Sequence, residues 1–161
     1  MKQTTLERRN VLRTAGAAGV AAVAGLAASQ PAMADDDDHG GLVGSWLVTH
    51  VEDTPGPDGR GQAVVVLGAG GTLVSVEVNP PTGVGAGTWR RTGEDGAFRA
   101  LFLVGVPPMN GQPGVVVEIR PRGRLRGNRI MGTFTIKVTD AATGAVLDRH
   151  TGTFEGTRLM A

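Results

Sequence analysis

The chain has 161 residues, no cysteine, 4% aromatic residues and a formal net charge of +1. The lack of cysteine excludes disulfides, thiol catalysis and cysteine-ligated metal sites. Of its 16 basic and 15 acidic residues, Lys2, Glu7, Arg8, Arg9 and Arg13 lie near the N-terminus, and setting these aside leaves 12 basic and 14 acidic residues, a net charge of −2. A slightly acidic domain with few aromatic side chains is not typical of nucleic-acid-binding proteins.

The N-terminal stretch is typical of a targeting signal. Arg8 and Arg9, followed after one residue by the letters VLR, resemble the twin-arginine export signal. The letters AMA before Asp35 fit a signal-peptidase site. The apolar stretch 15–28 is shorter than the ~20 residues that a membrane-spanning helix needs. We therefore predict that residues 1–34 are a signal peptide cleaved after Ala34, which the twin-arginine export machinery binds through Arg8 and Arg9. The product is expected to be secreted or extracytoplasmic, with no permanent membrane anchor.

An acidic leader follows the signal. Residues 35–41 begin with four aspartates and contain no apolar residue, so charge repulsion favours an extended, hydrated segment. Residues 42–161 have the length of one ordinary domain and are long enough to bury a core without disulfides. We therefore predict a single folded domain over 42–161.

The folded part of the sequence consists of short β-prone runs separated by turn residues. The breaks, such as GAGG, TGEDG and TDAATG, are too short for crossover helices, so neighbouring strands are expected to pair antiparallel. Eight strands arranged in this way can close into an up-and-down barrel, which removes exposed sheet edges. The predicted strands are Leu42–Val51, Gly61–Leu67, Thr72–Asn79, Gly85–Thr92, Ala97–Val104, Gly114–Arg122, Arg129–Thr139 and Ala145–Leu159.

Alternation along the first and last strands indicates which residues face inward. Gly44, Trp46, Val48 and His50 share one side of the first strand. His150, Gly152, Gly156 and Arg158 share one side of the last strand. Because these strands are neighbours in a closed barrel, we expect Trp46 near Gly156 and Arg158, and His50 near Gly152 and His150.

The letters GSW near the start of the domain and GTFEGTR at its end resemble the calycin superfamily of lipocalin-like barrels. The letters GAGTW and the same closing motif also resemble small exported bacterial barrels, among them allene-oxide-cyclase-like proteins. The resemblance implies a lipocalin-like barrel in which Gly44 and Trp46 pack beneath an arginine from the chain end, here Arg158. A guanidinium over an indole gains cation–π attraction and seals the apolar end of a barrel. The chain lacks the disulfides and the final helix of typical lipocalins.

The sequence places its most reactive side chains at the end of the barrel opposite Trp46. His50, Asp148 and His150 are predicted to face inward on adjacent strands, with Glu52 next at the rim. Such a group can orient a polar ligand, bind a divalent metal or act as an acid/base pair, or it can be half-exposed and structural. We predict ligand-binding residues, with no metal, no cofactor and no assigned catalytic residue: His50, Trp89, Phe102, Asp148 and His150.

Two outward surfaces are also distinctive. The alternate arginines of the segment Arg120–Arg129 predict an outward basic ladder, which is either a solvated face or a binding site for anionic polymers. Val64, Val66, Leu101 and Leu103 predict an apolar patch on the outer wall, which is consistent with a homo-oligomer.

Three functions fit this pattern. We favour a non-enzymatic exported barrel that binds a small, mostly apolar ligand in its mouth. The alternatives are a cyclase or isomerase of the allene-oxide-cyclase-like type and a secreted structural module associated with the cell wall. Nucleotide binding is not predicted, because the glycine-rich runs do not open a helix.

Overall fold

The structure, a computed structural model, describes residues 41–53, 59–79, 83–109 and 111–160. The predicted signal peptide and all but the last residue of the acidic leader lie outside the described residues. Within those ranges, no helix is long and apolar enough to cross a membrane. The strands are β1 (Gly44–Glu52), β2 (Arg60–Leu67), β3 (Thr72–Asn79), β4 (Val84–Arg91), β5 (Ala97–Val106), β6 (Val115–Arg126), β7 (Arg129–Asp140) and β8 (Val146–Arg158).

The eight strands close into one barrel. Each strand pairs antiparallel with the next along the chain, and β8 returns to pair with β1. The predicted all-β, up-and-down barrel is therefore confirmed. Most strand limits lie within two residues of the predicted ones, but β6 runs to Arg126 because Gly127, with φ of 58°, and Asn128 form a two-residue turn.

The register between β1 and β8 differs in part from the expected one. Trp46 pairs directly with Arg158, as expected, but His50 pairs with Phe154 rather than lying beside Gly152. Glu52 takes the position opposite Gly152. This offset follows from the seal at Trp46, because the guanidinium of Arg158 reaches the indole only when the two residues are level.

The interior is filled by large side chains that lie against glycines. A Cβ placed on Gly85 would come within 2.7 Å of the ring of Phe102, and one on Gly156 within 2.8 Å of Ile130. The buried apolar residues form one continuous cluster, and Trp46 is fully buried in it. We call the end of the barrel that contains Trp46 the base. The opposite end, where β1 ends and β8 begins, is the mouth.

Candidate functional site

The base is closed by aromatic and cationic side chains whose polar atoms are bonded to the backbone. The guanidinium carbon of Arg158 lies 4.6 Å from the ring centre of Trp46, and its Nη1 donates to the carbonyl oxygen of Val43 at 2.8 Å. Trp46 Nε1 donates to the carbonyl oxygen of Leu42 at 3.0 Å. Gly44 has φ of 141°, and a Cβ there would lie 2.7 Å from Arg158 Nη1. These contacts give the base a structural role.

The first polar pair of the mouth joins β1 to β3 across β2. His50 Nε2 lies 3.1 Å from Glu77 Oε2, and both side chains are about four-fifths buried. The imidazole reaches across β2 because Gly61, which pairs with His50, has no side chain. A Cβ on Gly61 would lie 2.5 Å from the imidazole. A glycine at this position is therefore required for the pair.

Glu77 raises the affinity of His50 for a proton. Burial alone would lower the pKa of His50, but the hydrogen bond and charge of Glu77, together with the charge of Glu52, outweigh burial and raise that pKa above its ordinary value. The protonated imidazole donates its Nε2 proton to the carboxylate. The pair therefore favours an imidazolium–carboxylate state near neutral pH.

The second polar pair joins β8 to β1. His150 Nε2 lies 3.0 Å from Glu52 Oε2, and the side chain of His150 is 11% exposed. The separation is that of an ion pair, but neither ring nitrogen of His150 makes a well-directed hydrogen bond with any described residue. Nε2 faces Glu52, so Nδ1 is the ring position that has no partner in the described part of the protein.

The predicted site is only partly assembled. Its two histidines lie at the mouth, but each faces a glutamate rather than the other histidine or Asp148. Asp148 is exposed, and its carboxylate accepts a hydrogen bond from the adjacent backbone N–H of Arg149 at 2.8 Å. Sequence reasoning missed Glu77, although alternation on β3 places it on the same side as Leu73 and Ser75, which are buried.

The two aromatic residues predicted to contact ligand occupy different levels. Trp89 lies toward the base, where it is 5% exposed and Nε1 donates to the carbonyl oxygen of Gly68 at 2.9 Å. Phe102 lies in the middle of the barrel against Gly85. Another aromatic residue, Phe134, meets the ring of His50 edge-on, with ring centres 6.1 Å apart. Phe134, rather than Trp89, provides the aromatic surface beside the histidines.

The wall of the mouth that faces the polar pairs is apolar. In an eight-stranded ring, β5 stands opposite β1. Val104 pairs with Val117 and Val106 pairs with Val115, and all four side chains are buried. These residues are smaller than the tryptophans and leucines at the base. The mouth therefore has a polar side on β1, β3 and β8 and a side of small apolar residues on β5 and β6.

The chemistry available at the mouth is that of imidazole–carboxylate pairs. No group of three or more possible metal ligands occurs among the described residues. Both pairs can form hydrogen bonds to a polar group and stabilise a charge, and His50, whose pKa is raised, can also transfer a proton near neutral pH.

The basic ladder lies outside the barrel, away from the mouth pairs. Arg120, Arg122, Arg124 and Arg126 are exposed on β6. Arg120 bonds Glu118 at 2.7 Å, and Arg124 lies 2.6 Å from Asp95. Such exposed pairs contribute little to stability. Their carboxylates offset part of the positive charge that an anionic polymer would meet.

Comparisons of the chain with protein-family models, with curated proteins and with solved structures found no match.

Proposed function

We propose that this protein is a binding protein that holds a small, mostly apolar ligand at the mouth of the barrel without converting it. The ligand places its polar group against the two histidine–glutamate pairs and its apolar part against the valines of β5 and β6. No cofactor takes part in this function. The proposal is supported by the different character of the two sides of the mouth.

The single observation that carries the proposal is the pair of buried imidazoles, each facing a carboxylate, on one side of the mouth. Removing ionisable groups from water is unfavourable, and a buried ion pair is often no more stabilising than apolar residues of the same volume. The base is already sealed by Trp46 and Arg158, so closing the barrel does not require charges at its other end. The Nδ1 of His150, which has no partner among the described residues, is well suited to a ligand.

Phe134 and the valines define the apolar half of the proposed site. These side chains are themselves less than one-tenth exposed, so the gain comes from the ligand, at about 25 cal/mol per Å² of its own apolar area that leaves water. The polar pairs on the facing wall set the orientation of the ligand, because only a donor or acceptor group satisfies His150. We therefore expect amphipathic compounds to bind better than pure hydrocarbons.

Acid–base catalysis, as in a cyclase or isomerase, is the second candidate function. The raised pKa of His50, which Glu77 and Glu52 maintain against burial, favours this candidate because a protonated imidazole can act as a general acid near neutral pH. Binding is our preferred proposal, because the two imidazoles do not face each other as an acid and a base and each is held against a glutamate. Because isomerisation or cyclisation changes the structure of a compound and not its mass, a bound compound that is recovered with an unchanged NMR spectrum supports the first candidate over the second.

The test of binding uses native mass spectrometry of the purified protein and fluorescence of the apolar probe N-phenyl-1-naphthylamine. The variant is His50→Gln with His150→Gln, and the matched control is Thr135→Gln on the outside of β7. We expect the double variant to bind the probe at least about tenfold more weakly than the control, a difference of about 1.4 kcal/mol. Equal binding by the two variants, or no binding by the unmodified protein, would reject the proposal.

We also propose that the barrel acts outside the cytoplasm after export of the folded chain by the twin-arginine machinery. Arg8, Arg9 and the small residues that end at Ala34 support this proposal. Replacing both arginines by lysine is expected to retain the unprocessed chain inside the cell. N-terminal sequencing of the exported protein should begin at Asp35, and a normally exported lysine variant would contradict the proposal.

A further inference from the structure

The outer surface of the barrel is divided into an apolar wall and a charged wall. On the apolar side, two rows of outward residues cross the strands without interruption. Leu47 pairs with Val64, Val64 with Val76, and Val76 with Val84. The second row runs through Val66, Val74, Ala86 and Leu103. We call these eight residues, together with Leu101, the valine wall.

The valine wall is open to solvent across its whole width. Val74 at its centre is 39% exposed, and Leu103 at its edge is 48% exposed. The other half of the barrel shows a different surface, with Arg120, Thr135 and Thr151 in one cross-strand row. Strands β6–β8 show that this fold accepts polar side chains on its outer wall. Closing the barrel therefore does not require the exposed valines.

We propose that the valine wall is the contact surface for a second copy of this chain in a face-to-face dimer. Strand spacing and pleat give each outward position a footprint of about 30 Å², so the wall covers about 300 Å². A stable interface buries about 800 Å² per partner and consists of an apolar centre within a polar rim. The wall supplies such a centre, and the adjoining outward residues Ser45, Thr49, Gln62, Thr72 and Thr88 supply the rim.

A second copy fits this surface better than a lipid surface or a charged partner. In a two-fold dimer the same patch meets itself, so a surface without charged side chains avoids placing like charges together. The valine wall contains no charged side chain. Membrane-facing surfaces are typically anchored by tryptophan or tyrosine. Both tryptophans of this chain are buried inside the barrel, and the chain has no tyrosine.

The test is sedimentation equilibrium of the full chain at ~10 µM, together with the variants Val74→Glu and Thr135→Glu. Val74 and Thr135 both point outward, and Thr135 pairs with Arg120, so the control introduces the same charge on the opposite wall. We expect the unmodified chain and Thr135→Glu to sediment with the mass of two copies. Val74→Glu should raise the dissociation constant by more than about tenfold, because a charge would be buried without a partner.

A second variant separates the interface from any effect on folding. Val74→Thr keeps the shape and β-propensity of the side chain, and it should weaken the dimer by a smaller factor while leaving the thermal unfolding of the separated chains unchanged. A monomer at this concentration, an assembly larger than two copies, or a dimer insensitive to both changes at Val74 would overturn the proposal. So would a monomer whose valine wall binds neutral lipid vesicles. None of these outcomes depends on the proposed ligand site at the mouth.

Discussion

At the base, the positive charge of Arg158 lies over an indole and donates to a backbone carbonyl, whereas at the mouth each imidazole faces a carboxylate. The partners at the base do not titrate near neutral pH, and the guanidinium stays protonated. At the mouth, burial lowers the pKa of His50, but the hydrogen bond and charge of Glu77 outweigh burial and raise that pKa above its ordinary value. This barrel therefore combines a permanent seal at one end with a proton-sensitive residue, His50, at the other.

The largest expected difference between the two ends concerns stability. Trp46→Ala removes a fully buried indole, and we expect it to lower the free energy of unfolding by about 3–5 kcal/mol. His150→Ala at the mouth is expected to cost less, about 1–2 kcal/mol, because the Glu52 carboxylate that loses its partner is 19% exposed and can bind water instead. Urea denaturation of both variants measures the difference. A larger loss in His150→Ala would reverse the assignment of structural and functional ends.

A second substitution tests whether the cation itself contributes to the seal. Arg158→Met keeps much of the apolar length but loses the cation–π contact and the hydrogen bond to Val43, so we expect a loss of about 1–3 kcal/mol. Arg158→Lys retains the charge and should recover only part of the lost stability, because a lysine does not reproduce the planar guanidinium. Thermal and urea unfolding compare the variants. If Arg158→Met were as stable as the unmodified protein, packing of Trp46 alone would account for the seal.

We expect His50 at the mouth to make the free energy of unfolding depend on pH, which the residues of the base do not. Because the folded-state pKa of His50 is raised, the stability that this residue contributes is complete below its unfolded value of about 6.5 and is lost as the pH rises through the folded-state pKa. The unmodified protein should therefore lose more stability between about pH 6 and pH 9 than His50→Gln does.

Urea denaturation at the two pH values measures this difference, and Arg158→Met is the matched control at the base. Because a guanidinium does not titrate in this range, the control should show the same pH dependence as the unmodified protein. Identical pH dependence of His50→Gln and the unmodified protein would show that the first pair contributes no pH-dependent stability.

Architecture was more accessible from the sequence than the site. Strand number and closure follow from turn spacing and alternation, which are local properties of the chain. The partners of the histidines are not local. Glu77 reaches His50 across an intervening strand, and this contact depends on the register of three strands together with the lack of a side chain at Gly61.

The register between β1 and β8 explains the remaining differences. A shift of two residues along β8 keeps every inward residue facing inward, so alternation alone does not distinguish the expected neighbours of His50 from the observed ones. The shift places Phe154 opposite His50 and leaves His150 beside Glu52. Asp148, which the sequence grouped with the histidines, lies beyond Gly152, the last residue of β8 that pairs with β1, and it is exposed.

The smallest expected effect is also the most specific to the mouth. Gly61→Ala would place a Cβ 2.5 Å from the imidazole of His50, so the ring must turn away from Glu77. The backbone of Gly61 does not lie in the left-handed region, and we therefore expect a small change in stability.

The measurable consequence is a fall in the pKa of His50, since burial then acts without the hydrogen bond that opposes it. An NMR titration of the histidine ring measures this pKa, and Gly70→Ala, at a turn position with open space around it, is the control. An unchanged pKa in Gly61→Ala would mean that the imidazole reaches Glu77 without the space that the glycine provides.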